Sequence, residues 1–180
     1  MTRPETRFET DRLILRSWRI DDLDDFARLH ADPDTMRDHG QTLDRAGSKH
    51  KLVGYIEQYQ QHGHIRWCVR TKDGDFLGYV GLYPNGDDHP LGRHSDIGWR
   101  LLPQAWGKGY ATEAARAAMD HAFDRCGLRE ILAYTQAENL SSQAVIARLP
   151  FERDPTRDFS IEEELAGLWH GMTWVARAPG

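Results

Sequence analysis

The stretch Pro103-Gln104-Ala105-Trp106-Gly107-Lys108-Gly109-Tyr110-Ala111-Thr112 carries the clearest chemistry in the sequence. Two glycines one residue apart allow backbone angles closed to other residues and let a ligand touch the main chain. An alanine-rich run follows at once, so the turn opens a helix. Successive amides facing one concavity at the positive end of a helix dipole hold an anion, and Lys108 adds a charge nearby. Such a turn suits a pyrophosphate; the bland alternative is a tight turn that needs glycine for geometry alone. Two familiar phosphate loops do not fit. Gly109 follows Lys108 where the Walker pattern has Ser or Thr, and Thr112 stands where the dinucleotide fingerprint has its third glycine.

Other reactive side chains point nowhere definite. Among nine histidines, His62 and His64 flank Gly63, while His89 and His94 fall in a polar stretch. There is no H-E-x-x-H and no Cys/His spacing suited to zinc, so no metal is expected and the histidines read as solvated or loop residues. Cys68 and Cys126 sit in apolar-periodic stretches and read as reduced core residues.

The chain has 180 residues, 39% of them hydrophobic and 28% charged, with a net charge of −5. One globular domain over 1–180 is expected. Scattered basic residues on an acidic chain argue against nucleic acid as a main ligand. The polar start, MTRPETRFETDR, carries no signal-peptide apolar region, and no apolar run is long enough to span a membrane. A cytoplasmic protein is the default expectation.

The elements that must position the turn follow from periodicity. A strand is expected at 12–18, with Leu13 and Leu15 alternating against polar neighbours. The acidic run Asp21–Asp25 reads as the solvated first turn of a helix, with Asp21 and Asp22 able to cap it. Residues 32–42 read as loop and 43–61 as a second helix. Strands follow at 64–70 and 76–83, joined by Asp73-Gly74, a hairpin signal. A polar loop leads to a strand at 95–102, which Pro103 ends because it has no N–H. Helix then runs to about Cys126. Its stripe is Ala111, Ala114, Ala115, Ala118, Met119, Ala122, Phe123 and Cys126, with Glu113, Arg116 and Asp120 facing away. A strand at 129–136, a short helix at 139–149 capped by Asn139 and a strand at 168–177 complete the order. Three hairpin-linked strands followed by strand–helix–strand imply an α/β fold with a mixed central sheet and helices on both faces.

Gln104-Ala105-Trp106-Gly107-Lys108-Gly109 matches the Q/R-x-x-G-x-G/A signature of the GNAT superfamily of N-acetyltransferases. DIGWRLLPQAWGKGYATEA, the opening TDRLILR and the later ENLSSQAVIARLPF resemble its RimJ/RimL-type branch in type and order, over nearly the whole chain. That branch acetylates ribosomal-protein N-termini and many small amines. The resemblance implies a mostly antiparallel sheet split into a V at the 95–102 strand, with acetyl-CoA in the V. Its pantetheine would pair with the free backbone of Trp99, Arg100, Leu101 and Leu102. Its pyrophosphate would rest on the turn that begins with Gln104, at the amides of Gly107, Lys108, Gly109, Tyr110, Ala111 and Thr112. Asn139, in N-x-x-S with Ser142, resembles the family's contact to the pantetheine arm.

This chain departs from the family in two places. Leu149-Pro150-Phe151 replaces the usual Leu-Gly-Phe, and Ile146 stands where many members carry an acidic tyrosine; Ser142 or Ser141 is the nearest hydroxyl. Asp96 is the candidate base, on the strand that would border the acetyl group, with His94 as a weaker one. The acceptor would be a small amine or a peptide N-terminus, framed by residues 32–42, the second helix and the C-terminal hairpin. A homodimer is compatible with the sequence. A non-catalytic acyl-CoA-binding module and a nucleotide-binding protein are the alternatives, the latter weakened by the failed Walker pattern.

Overall fold

The computed structural model describes residues 2–163 and 167–180. Its centre is β4 (Phe76–Asn85), buried over its first seven residues as a strand covered on both faces must be. β3 (Arg66–Thr71) lies antiparallel to one side of it and β5 (His94–Leu101) to the other. β1 (Arg7–Glu9) and β2 (Leu13–Arg16) extend the sheet past β3. Beyond β5 come β6 (Glu130–Thr135) and β9 (Gly167–Arg177), with the two-residue β7 (Glu152–Arg153) at the edge. β8 (Phe159–Glu163) pairs only with the first half of β9. The sheet is thus mixed and mostly antiparallel, its one parallel step being β5 to β6.

That parallel step is nearly absent. β4 and β5 share eight paired positions, but β5 meets β6 at Asp96↔Leu132 alone. Past that point the two strands diverge, and this divergence is the V. β5 stops before Pro103, which opens a short 3-10 turn (Pro103–Ala105).

α1 (Leu23–Ala31) and α2 (Arg45–His62) cover one face, where Phe26 and Tyr55 pack against Tyr79. α3 (Tyr110–Arg125) covers the other, with Ala114, Ala115, Ala118, Met119 and Ala122 buried. The ends of the expected stripe, Ala111, Phe123 and Cys126, are only half-buried. α2 begins on Asp44, whose side chain accepts from Gly47 N, and ends on Gly63 in the left-handed region. α4 (Leu140–Ile146) is capped by Asn139, as its sequence indicated.

Several local expectations fail because side chains are claimed by tertiary contacts or because a strand extends further than its sequence showed. Asp22 does not cap α1; it is 5% exposed and accepts from both Arg16 guanidinium nitrogens and from Arg19 N. Asp25 is tied to Arg70. His30 and His64 are core residues, not solvated ones: His30 Nδ1 bonds Phe26 O and His64 Nε2 bonds Ser95 Oγ. His94 lies in β5 and not in the preceding loop. Glu113 does not face away, as the site shows. β1 and β7 are too short to show a period, and β8 is the first strand of the C-terminal hairpin, for which the sequence set no bounds.

Candidate active site

The glycine turn is built as its sequence suggested. Gly107 has φ 71° and Gly109 φ 79°, both in the left-handed region, and Gly109 is the N-cap of α3. The first helical bond of α3 is Glu113 N to Gly109 O. The amides of Tyr110, Ala111 and Thr112 therefore have no acceptor one turn back. Gln104, Gly107, Lys108 and Gly109 are exposed. A Cβ on Gly107 would meet nothing within 4 Å, so the turn opens onto free space and not onto packed protein.

Two residues outside the motif hold this turn. Arg12 Nη1 donates to Lys108 O at 2.9 Å, and its guanidinium lies 4.6 Å from the Tyr110 ring centre. Glu113 accepts from Thr10 Oγ1, Arg12 N and Arg12 Nε at 2.5, 3.1 and 2.6 Å. One carboxylate on the first turn of α3 thereby fastens the β1–β2 connection beside the turn. Burial works against the Glu113 charge, but these donors hold its carboxyl below its ordinary range. Arg12 also brings a second cation to the turn.

The free edge of β5 is narrower than the sequence implied. Leu102 N donates to Leu77 O on the β4 side. Backbone direction alternates along a strand, and β4 and β5 pair without a register shift, so Arg100 and Leu102 turn their main chain toward β4. Of the four expected contacts, Trp99 and Leu101 face the gap. The Leu101 carbonyl already accepts from Trp106 Nε1 at 2.7 Å, leaving the Trp99 amide and carbonyl and the Leu101 amide. Three of the eight backbone groups first expected are therefore open to a ligand. The correction has a plain cause: the alternation is set by register, which only the paired structure fixes.

The V contains a cleft of about 270 Å³. Asn139, Ser142 and Ile146 line the side toward α4, and Asp96, Gly98, Trp99 and Arg100 the β5 side. Asn139 Oδ1 is occupied by the cap, accepting from Ser142 N and Ser141 Oγ. Asp96 is 3% exposed, and both its oxygens are engaged: Oδ2 by Arg66 Nη2 at 2.8 Å and Oδ1 by Asn85 Nδ2 at 2.7 Å. Arg66 reaches it from two strands away because the pairings Arg66↔Gly81 and Gly81↔Gly98 clear a lane across the sheet. A Cβ on Gly98 would come within 2.9 Å of the guanidinium carbon. Arg100 forks onto Asp38, bonds the Tyr79 hydroxyl and also reaches Thr35 O. Burial alone would raise the Tyr79 phenol, but Lys51, Arg100 and Arg66 outweigh it and pull its pKa below the ordinary range.

A hydroxyl missed by the sequence stands in the same cleft. Tyr134, on β6, lies 3.5 Å from His94 Nε2. Burial, and then the Asp96 charge, push its pKa up, so it stays protonated. Its only sequence signal was a tyrosine within the strand expected at 129–136. Residues 32–42 supply Asp38 and His39, and the β8–β9 hairpin supplies Phe159, Ile161 and Trp169. No group of three His, Cys, Asp or Glu side chains able to hold a metal occurs among the described residues.

A splayed mixed sheet with a glycine turn at the mouth of the splay defines an acetyltransferase of the GNAT type, and the chain belongs to that family: residues 12–152 match the model described as "Acetyltransferase (GNAT) domain". It is an N-acetyltransferase. Among relatives, it is 26% identical over 151 residues to the Bacillus subtilis protein named "Uncharacterized N-acetyltransferase YoaA", covering 81% of this chain and 82% of that one. Its fold is shared with a GNAT-family acetyltransferase from Bacillus anthracis, with a TM-score of 0.78, 18% identity and 96% and 99% of the two chains covered. It is shared too with Mycobacterium smegmatis RimJ, solved with a CoA disulfide, with a TM-score of 0.73, 22% identity and 92% and 82% covered.

Proposed function

We propose that this chain, working as one unit over residues 1–180, moves the acetyl group of acetyl-CoA to a primary amine by direct attack. The observation that carries the reading is the continuity of turn and cleft. The unbonded amides of Tyr110 to Thr112 lie one short turn beyond the open β5 edge at Trp99 and Leu101. A ligand with a pyrophosphate and a hydrogen-bonding arm fits that path.

The amine nitrogen attacks the thioester carbonyl carbon, the C–S bond breaks with its electron pair going to sulfur, and the ammonium proton leaves. The residues supply placement first, since holding two reactants in line accounts for much of a barrier of this kind. The Trp99 and Leu101 amides are fixed dipoles that can hold the thioester carbonyl. Asp96 is anchored by Arg66 and Asn85, so it takes the amine proton through water or by loosening one bond; His94 stands next in line through Asn85. Ser142 and Tyr134 are the hydroxyls able to protonate the departing thiolate. The acceptor is a small amine or a peptide N-terminus.

Calorimetric titration with acetyl-CoA, combined with measurement of free CoA released in the presence of amines, tests the reading. We expect binding near one per chain, a rise in melting temperature and amine-dependent release. Neither heat nor a melting shift with acetyl-CoA or CoA would overturn it.

A further inference from the structure

The far wall of the cleft is aromatic, and nothing in the path of acetyl-CoA requires it to be. His89 from the β4–β5 loop, Tyr134 from β6, Phe159 from β8 and Trp169 from β9 meet there. Phe159 packs edge-on to His89 at 4.9 Å and to Tyr134 at 5.0 Å, and lies 5.4 Å from Trp169. Tyr134 and Trp169 are 6.2 Å apart. Ile161 shares the Phe159 face of β8 and lies opposite Trp169. All five are half-buried and line the cleft. The wall exists because β9 outruns β6: the last β6 pair is Thr135↔Met172, and from Gly171 back to Gly167 β9 pairs with β8 instead. That arm carries Phe159, Ile161 and Trp169 over the cleft.

Charge narrows what fits. Asp38 and Asp96 are the only carboxylates among the described lining residues. Arg100 forks onto Asp38, and Arg66 and Asn85 occupy Asp96. Each is already neutralised by a guanidinium, and Lys51 lies close enough to Arg66 and Arg100 to feel both. Polyamines and dibasic peptides meet no unpaired carboxylate among the described lining residues. A flat apolar group next to the reacting amine meets ring faces and edges on several sides, the arrangement in which aromatic groups associate best.

Resting on the acetyltransferase reading above, we propose that the acceptor is an aryl-bearing primary amine with no second positive charge, its ring held by Phe159, Trp169, Tyr134 and His89. Packing of the β8–β9 hairpin on the sheet would by itself also bring these rings together, and the test separates the two.

Transfer rates are measured with 2-phenylethylamine, n-butylamine and spermidine, for the unaltered chain and for Trp169→Ala and Phe159→Ala. Calorimetry of 2-phenylethylamine with the CoA-saturated protein runs beside them. We expect kcat/KM to favour 2-phenylethylamine over n-butylamine by roughly tenfold or more, the scale on which a fitted apolar pocket discriminates. Spermidine should be the poorest. Each variant should bring the phenylethyl-to-butyl ratio near one while leaving the KM for acetyl-CoA unchanged. A ratio near one in the unaltered chain, a preference for spermidine, or a ratio that survives both substitutions overturns the proposal and leaves the acetyltransferase reading standing. If no amine is acetylated, heat of binding for 2-phenylethylamine that disappears in Trp169→Ala still supports the pocket, and its absence overturns it. Failure of acetyl-CoA itself to bind is read in the separate titration and strikes the acetyltransferase reading instead.

Discussion

Two single residues test the site at its two ends. Gly109 sits at φ 79°, where an L side chain costs about 1–2 kcal/mol and a β-branched one more. Its Cβ would lie 3.5 Å from Arg12 Nη2, in ordinary contact, so the chain has room to fold around it. Gly109→Val should therefore keep its circular dichroism spectrum, melt a few degrees lower and lose CoA binding by titration. Normal CoA affinity in a folded variant would place the phosphates elsewhere. Asp96→Asn acts at the cleft. It removes the carboxylate beside a largely buried guanidinium, which costs about 3 kcal/mol when a buried pair is broken from one side. Turnover should fall by about a hundredfold or more. Partial recovery at high pH, where more acceptor is already unprotonated, is the mark of a base; a uniform loss at every pH would make Asp96 an anchor for Arg66 only. CoA affinity should not move in either case.

At the scale of elements, the glycine turn proposed to hold CoA is braced by the junction of α3 with the β1–β2 connection. Glu113 fastens Thr10 and Arg12, and Arg12 in turn holds the Lys108 carbonyl. Part of this network is exposed, so its worth to stability is small, within about 1 kcal/mol. Its worth to the turn is geometric. Glu113→Ala should lower the melting temperature only slightly and weaken CoA binding by roughly tenfold, the effect of losing one charge-assisted contact. Unchanged affinity in that variant would mean that the glycines set the turn without help. The sequence showed Glu113 only as a polar residue off the alanine stripe. Its partner lies about a hundred positions earlier, and no local pattern records such a contact.

At the scale of the whole molecule, two histidines buried among apolar and aromatic groups couple the fold to pH. Burial lowers the pKa of His30 to about 3 and of His64 to about 4 from an ordinary 6.5. Lys51 adds to the first effect and His62 to the second. Above pH 6.5 both are neutral in either state, and stability is at its full value. Below it the unfolded chain takes up protons that the folded chain refuses, so stability falls until the folded pKa values are passed. The slope is about 1.4 kcal/mol per pH unit for each histidine. Acid unfolding followed by denaturant titration should therefore steepen between pH 6.5 and 4. His30→Gln, whatever it does to absolute stability, should lessen that slope by about 1.4 kcal/mol per pH unit. A slope unchanged by His30→Gln would show that carboxylates dominate the acid limb.

The sequence alone determined the parts that depend on near neighbours. The glycine turn, the alanine stripe behind it, the Asn139 cap and the end of β5 at Pro103 each rest on residues within a turn or two of each other. Backbone angles, helical spacing and a missing N–H are local properties. The order of the main elements and the resemblance to GNAT enzymes follow from the same kind of signal. Only the tertiary structure decided the rest, because it turns on register and on contacts between distant strands. Register settled which β5 residues offer free backbone, leaving Trp99 and Leu101 and removing Arg100 and Leu102. The lane over Gly81 and Gly98 settled that Arg66 reaches Asp96. The overhang of β9 beyond β6 settled that Phe159 and Trp169 face Tyr134 across the cleft. A side chain's partner across a sheet is fixed when strands pair, and pairing between strands far apart in the chain leaves no period in the sequence of either one.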